Sequence, residues 1–151
     1  MSIWKNRPTL EQLREMSRGT MDESVDLRFE EIGDDYIKAS MAVDHRTMQP
    51  VQLLHGGASC VLAETLGSTA SNMCVDAERK ICVGLEINAN HLRGVGSGRV
   101  TATAKPFHIG GRTHVWHIEI HDEEGRLTCV SRLTTAILER PGANPILRMR
   151  D

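Results

Sequence analysis

The run QPVQLLHGGASCVLAETLGSTASNMCVD, residues 49–76, holds almost no charge, and the rest of the chain has to accommodate it. From Met48 to Val75 the only carboxylate is Glu64. One acid inside about seven helical turns of apolar and small residues is either buried at a cost or put to use. The stretch reads as a central helix that carries a catalytic acid.

Three signals make it a helix. His55-Gly56-Gly57 breaks an extended segment, the helix formers Ala58, Leu62, Ala63, Glu64 and Leu66 follow, and Asn72 and Asp76 stand near a plausible stop. Val61, Leu62, Leu66, Ala70 and Met73 supply bulk, whereas Gly57, Cys60, Gly67, Ser68 and Ser71, three, four or seven positions from Glu64, are small and leave room beside it. A helix apolar on nearly every side belongs in an interior, and its Ser, Thr, His, Asn and Glu argue against a membrane span.

Working outward, 151 residues and 16.8 kDa suit one domain with a real core, read as residues 1–140 followed by a surface tail over 141–151. A net charge of -2 gives no basic field for nucleic acid, and 3% aromatic residues cannot build a base-stacking platform. Cys60, Cys74, Cys82 and Cys129 form no C-x-x-C pair and read as reduced packing residues. His108, His114, His117 and His121 read as ordinary strand residues, and no metal site is expected. Without an apolar signal segment near Met1, a cytoplasmic protein is expected.

Pro8-Thr9-Leu10 opens a short amphipathic helix over 9–16, with Leu10 and Leu13 on its apolar side. Alternation over 25–32 and 36–43 around Gly33-Asp34-Asp35 predicts a hairpin. Four further strands follow the helix, over 81–93, 99–109, 113–121 and 126–138. In the first of these Val83, Leu85, Ile87, Ala89 and His91 fall on one face, and the short turn Gly94-Val95-Gly96-Ser97-Gly98 predicts that it neighbours the next strand. The economical fold is α+β, a six-stranded antiparallel sheet wrapped around one long helix.

This order of elements, with His55-Gly56-Gly57 followed by Glu64, resembles the hotdog-fold acyl-CoA thioesterases. QPVQLLHGGASCVLAETLGS, VGLEINANHLR and SRLTTAIL are similar to segments of the 1,4-dihydroxy-2-naphthoyl-CoA esterases of menaquinone synthesis and of the enterobactin-pathway proofreading thioesterases. Val51-Gln52 stands where such relatives commonly read Phe-Gly. The resemblance implies thioester hydrolysis of an acyl-CoA, with coenzyme A as part of the substrate and no other cofactor. An acyl group on a carrier protein is the rival substrate, and a non-catalytic acyl-CoA-binding module the rival of another class.

A thioester needs something to deliver oxygen and donors for the developing oxyanion. Glu64 suits the first role, as nucleophile or as general base, and amides near Gly56 and Gly57, with the Gln49 side chain, suit the second. Gly56 and Glu64 are about 12 Å apart along an ideal helix, too far for one carbonyl to bridge comfortably, so a second subunit is expected to complete the site. The resemblance implies the same: a homodimer with shared sites, commonly within a homotetramer, His55, Gly56 and Gln49 coming from one chain and Glu64 and Ser68 from its neighbour. It also implies coenzyme A contacts at Val83, Asn90, His91, Leu92 and Arg93, and at Phe107, His108, Ile109, Gly110, Gly111 and Arg112.

Overall fold

The computed structural model describes residues 1–140, so the expected tail over 141–151 lies outside the described residues. Helix α1 (Leu10–Ser17) starts where Thr9 and Gln12 satisfy each other: the Gln12 amide donates to Thr9 Oγ1 at 3.1 Å and the Thr9 amide to Gln12 Oε1 at 2.8 Å. Leu13 enters the core, but Leu10 is left exposed, against expectation. A single turn, α2 (Met21–Ser24), follows; it is too short to carry a periodic signal and was not expected.

Strands β1 (Leu27–Ile32) and β2 (Ile37–Ala42) make the expected hairpin. Helix α3 (Gly56–Met73) comes next, then β3 (Lys80–His91), β4 (Arg99–Ile109), β5 (Thr113–Asp122) and β6 (Leu127–Glu139). All six strands join one antiparallel sheet in the order β1-β2-β4-β5-β6-β3.

The core is the contact between α3 and this sheet. Leu62, Ala63, Leu66, Ala70 and Met73 of the helix meet Ile37, Ala39 and Met41, Val100, Ala102 and Ala104, Ile118 and Ile120, and Leu133, all buried. Each large aliphatic side chain so enclosed contributes about 1.5–3 kcal/mol. The approach is close: a Cβ on Gly67 would fall 2.5 Å from Leu133 Cδ2, so this glycine lets the helix settle onto β6. One buried polar cluster also ties helix to sheet. Trp116 Nε1 donates to Ser71 Oγ at 2.6 Å, and Ser71 Oγ pairs with Thr135 Oγ1 at 2.9 Å.

Two expectations about the strand after the helix are corrected. The turn 94–98 does not make β3 and β4 neighbours; β3 lies at the far edge, with β6 its one neighbouring strand among the described residues, and the loop crosses the sheet end, where Leu92 N–H donates to Thr128 O and Leu54 N–H to Val95 O. The helix explains this placement, since β4 pairs back onto the β1–β2 hairpin while β3 covers α3 from the other side. Nor do Val83 through His91 share one face. A bulge between Gly84 and Glu86 inserts Leu85, so Cys82 and then Ile87 and Ala89 turn inward and Val83 turns out.

The four cysteines are free thiols, and burial pushes that of Cys74 up to about 12 and those of Cys82 and Cys129 to about 11. Among the described residues no helix is long and apolar enough to cross a membrane.

Removing the hydroxyl in Ser71→Ala leaves Trp116 Nε1 and Thr135 without their shared partner and should cost about 1–3 kcal/mol in urea unfolding. His114 is 1% exposed and its Nδ1 meets no partner, so burial, with His108 and Lys5 nearby, holds the imidazole below its ordinary value of 6.5. The unfolded chain then binds the proton more readily, and this contribution to stability is complete above about pH 6.5 and lost progressively below it. Unfolding free energies measured from pH 7.5 to 5 should fall toward acid, and His114→Gln should flatten that dependence.

Candidate active site

The sequence starts α3 with a histidine followed by two glycines, and each has a distinct effect on the exposed amides there. His55 is the N-cap, and its Nδ1 accepts from Gly57 N–H at 2.8 Å. Ala58 and Ser59 N–H donate to His55 O at 2.9 and 3.2 Å. Among the described residues the Gly56 amide alone in this first turn has no acceptor, which leaves one donor at the positive end of the helix dipole. The His91 ring lies against it, for a Cβ on Gly56 would fall 2.8 Å from His91 Nε2.

Around that amide the structure gathers Gln49, Gly56, His91, Leu92 and Arg93, with Leu53 and Thr128, into a cleft of about 330 Å³. Gln49 is held by a turn in which Gln52 N–H donates to Gln49 O at 2.9 Å. Gln52 takes a φ of 62°, a left-handed conformation that glycine adopts more freely than glutamine.

Glu64 is two turns further along α3, half-buried and without a cationic partner among the described residues. Ser68 Oγ donates to its Oε1 at 3.0 Å. On the other side is Gly84 of β3, where a Cβ would fall 3.1 Å from the Glu64 carboxyl carbon and overlap Oε1. A side chain at this position would push the carboxylate from its place. An isolated glycine inside a strand run is the signal that could have revealed the contact.

Ser68 opens onto a groove of about 960 Å³ between α1 and α3, walled by Leu13, Met16 and Met73 and edged by Gln12, Thr65 and Asn72. Ser68, the hydrogen-bond partner of Glu64, therefore faces a different opening from the Gly56 cleft. Eight residues of helix, about 12 Å of rise, separate Glu64 from Gly56 within one chain.

The remaining expected residues form a third group. Phe107, bulged out of β4, stacks on His117 at 4.9 Å with the Arg132 guanidinium 5.6 Å from its ring. His108 and Ile109 are exposed; Gly110, Gly111 and Arg112 make the turn into β5, and the two glycines border a cleft with His114. Thr113 and Val83 both pair with Ala136, whereas His91 pairs with Cys129 at the other end of β6. At about 3.3 Å per residue the Val83 and 110–112 group lies about 23 Å along the sheet from His91 and Arg93. One chain does not bring the two groups together. Among the described residues no three His, Cys, Asp or Glu side chains converge as metal ligands.

The family model described as "Thioesterase superfamily" matches residues 52–129. The 1,4-dihydroxy-2-naphthoyl-CoA hydrolase of Escherichia coli K12 is 59% identical over 136 residues, 90% of this chain and 99% of that one. The proofreading thioesterase EntH of Cronobacter sakazakii is 48% identical over 136 residues, covering 90% of this chain and 98% of its own length. A crystal structure of a mutant of thioesterase PA1618 from Pseudomonas aeruginosa superposes with a TM-score of 0.91 at 50% identity, covering 92% of this chain and all of that one. With its helix, its sheet order and nearly its whole described length shared with these proteins, the chain belongs to the thioesterase superfamily as a hotdog-fold thioester hydrolase.

Proposed function

We propose that this chain hydrolyses an aromatic acyl-CoA, of which 1,4-dihydroxy-2-naphthoyl-CoA is the best-supported example, in a site shared between two copies of itself. The observation that carries the reading is the separation of the two half-sites. The unpaired Gly56 amide and the Glu64 carboxylate lie on one rigid helix about 12 Å apart. Between them runs β3, whose outer edge pairs with no strand among the described residues. Antiparallel pairing of two such edges sets the Gly84 end of one protomer beside the Asn90 to Arg93 end of the other. It also sets Glu64 of one α3 facing Gly56 of its partner.

In that arrangement the thioester carbonyl oxygen receives the Gly56 amide and the Gln49 carboxamide as negative charge develops on it. His55 fixes the helix tip and His91 flanks it. Glu64 delivers oxygen, by attacking the carbonyl itself or by taking a proton from a water held with Ser68. Water oxygen ends on the acyl carbon, the carbon–sulfur bond breaks, and the departing CoA thiolate takes up the proton. The groove beyond Ser68 offers Leu13, Met16 and Met73 to an aromatic ring and the Gln12 and Thr65 edge to its hydroxyls.

Arg93 and Arg112 suit the CoA phosphates, with Val83, Leu92, Phe107, His108, Ile109 and the Gly110-Gly111 turn along the pantetheine. Since the two arginine groups lie about 23 Å apart in one chain, one CoA meets both only when they come from different protomers, in a dimer or in a tetramer of paired dimers. No cofactor is required beyond the CoA of the substrate, and the cytoplasm is the compartment that fits such a reaction. The similarity to EntH supports a second reading, release of acyl groups from a carrier protein; turnover of one acyl group on CoA and on its carrier decides between them.

Glu64→Gln should lower kcat by about 100-fold or more with folding intact. Gln49→Ala should lower it as well. Co-refolding the two variants in equal amounts should restore about a quarter of wild-type turnover, because half the dimers are mixed and each mixed dimer has one intact site. Full activity in Glu64→Gln, or no recovery on mixing, overturns the shared-acid reading.

A further inference from the structure

Asn72 stands two turns beyond Glu64 on α3, and its carboxamide is fully committed. Nδ2 donates to Cys82 O at 3.0 Å and to Ser68 O at 2.9 Å, while Oδ1 accepts from Cys82 N–H at 2.9 Å. Both backbone groups of Cys82 therefore end on one side chain, at an edge where no other strand among the described residues pairs with β3. An asparagine here has a specific use. Two residues further on, Gly84 packs against the Glu64 carboxylate, which a Cβ there would displace.

The sheet alone does not fix that contact. The bulge between Gly84 and Glu86 interrupts the ladder to β6 beside it, so the β6 pairing holds Gly84 less firmly than a regular register does. The other restraint on the carboxylate comes from Ser68, whose hydroxyl donates to Glu64 Oε1 and whose carbonyl Asn72 binds. One amide thus grips both walls of the acid, the strand on one side and the serine turn on the other.

We propose that Asn72 is a positioning residue for Glu64, fixing the Cys82 to Gly84 segment of β3 and the Ser68 turn so that the carboxylate keeps one orientation toward the thioester. This rests on the reading of Glu64 as the reacting acid. Displacement of such a group by about 1 Å can cost up to about 100-fold in rate.

The test is a cycle of Asn72→Ala, Glu64→Gln and the double variant, assayed on an aromatic acyl-CoA well below the unfolding temperature. Asn72→Ala should lower kcat about 10- to 100-fold with KM within about twofold. It should also speed exchange of the Cys82 amide proton. In the Glu64→Gln background the same change should cost no further activity, while its effect on unfolding temperature persists. Asn72→Asp keeps the acceptor for Cys82 N–H and removes both donors, so it should fold and still lose turnover; it provides the same cycle where the alanine variant does not fold. Wild-type kcat in both Asn72 variants, or an equal loss with and without Glu64, overturns the positioning role. Undiminished turnover in Glu64→Gln alone overturns the underlying assignment of the acid instead.

Discussion

The rise of an α-helix, about 1.5 Å per residue, is the constraint on which the rest of this molecule depends. It keeps the Gly56 amide and the Glu64 carboxylate apart on α3, and no adjustment of side chains brings the tip of a straight helix to a residue two turns inside it. The sheet is arranged to hold that helix, with Gly67 seated on Leu133 and Ser71, in its last turn, hydrogen-bonded to Trp116 and Thr135. That fixed separation is what the proposed chemistry answers, by combining the amide of one chain with the acid of another.

The long uncharged stretch made the helix legible, because a lone acid among apolar and small residues is a strong signal even without a partner in sight. Strand alternation likewise marked the β1–β2 hairpin and the last three strands, whose observed bounds differ by a residue or two from those expected. What stayed hidden was arrangement. Loop length implied that β3 and β4 were neighbours, but a loop of that length can also cross the end of a sheet, and coverage of α3 decided the matter. A single inserted residue at Leu85 reversed the facing of half of β3, and period-two patterning does not register such an insertion.

The candidate site could be named from the sequence as a set of residue types, but its packing contacts could not. Glu64, Ser68, His55 and Gly56 could be read as chemistry-bearing, yet the residues that hold them in place, Gly84 and Asn72, looked like an ordinary strand glycine and a helix-end asparagine. Both act through backbone geometry, one by lacking a side chain and the other by substituting for a peptide group. Contacts of that kind leave no charge or periodicity to find. The distance between Arg93 and Arg112 was similarly invisible, because position along a strand becomes separation in space only once the register is known.

Among the described residues no strand pairs with the outer edge of β3, and this has a colloidal consequence as well. Apart from the point sealed by Asn72, a twelve-residue strand with exposed Val83 and Leu85 offers a template to any extended chain. An isolated chain is therefore exposed to unsuitable strand pairing until something covers that edge, and the risk grows with the local concentration of unfolded segments during synthesis.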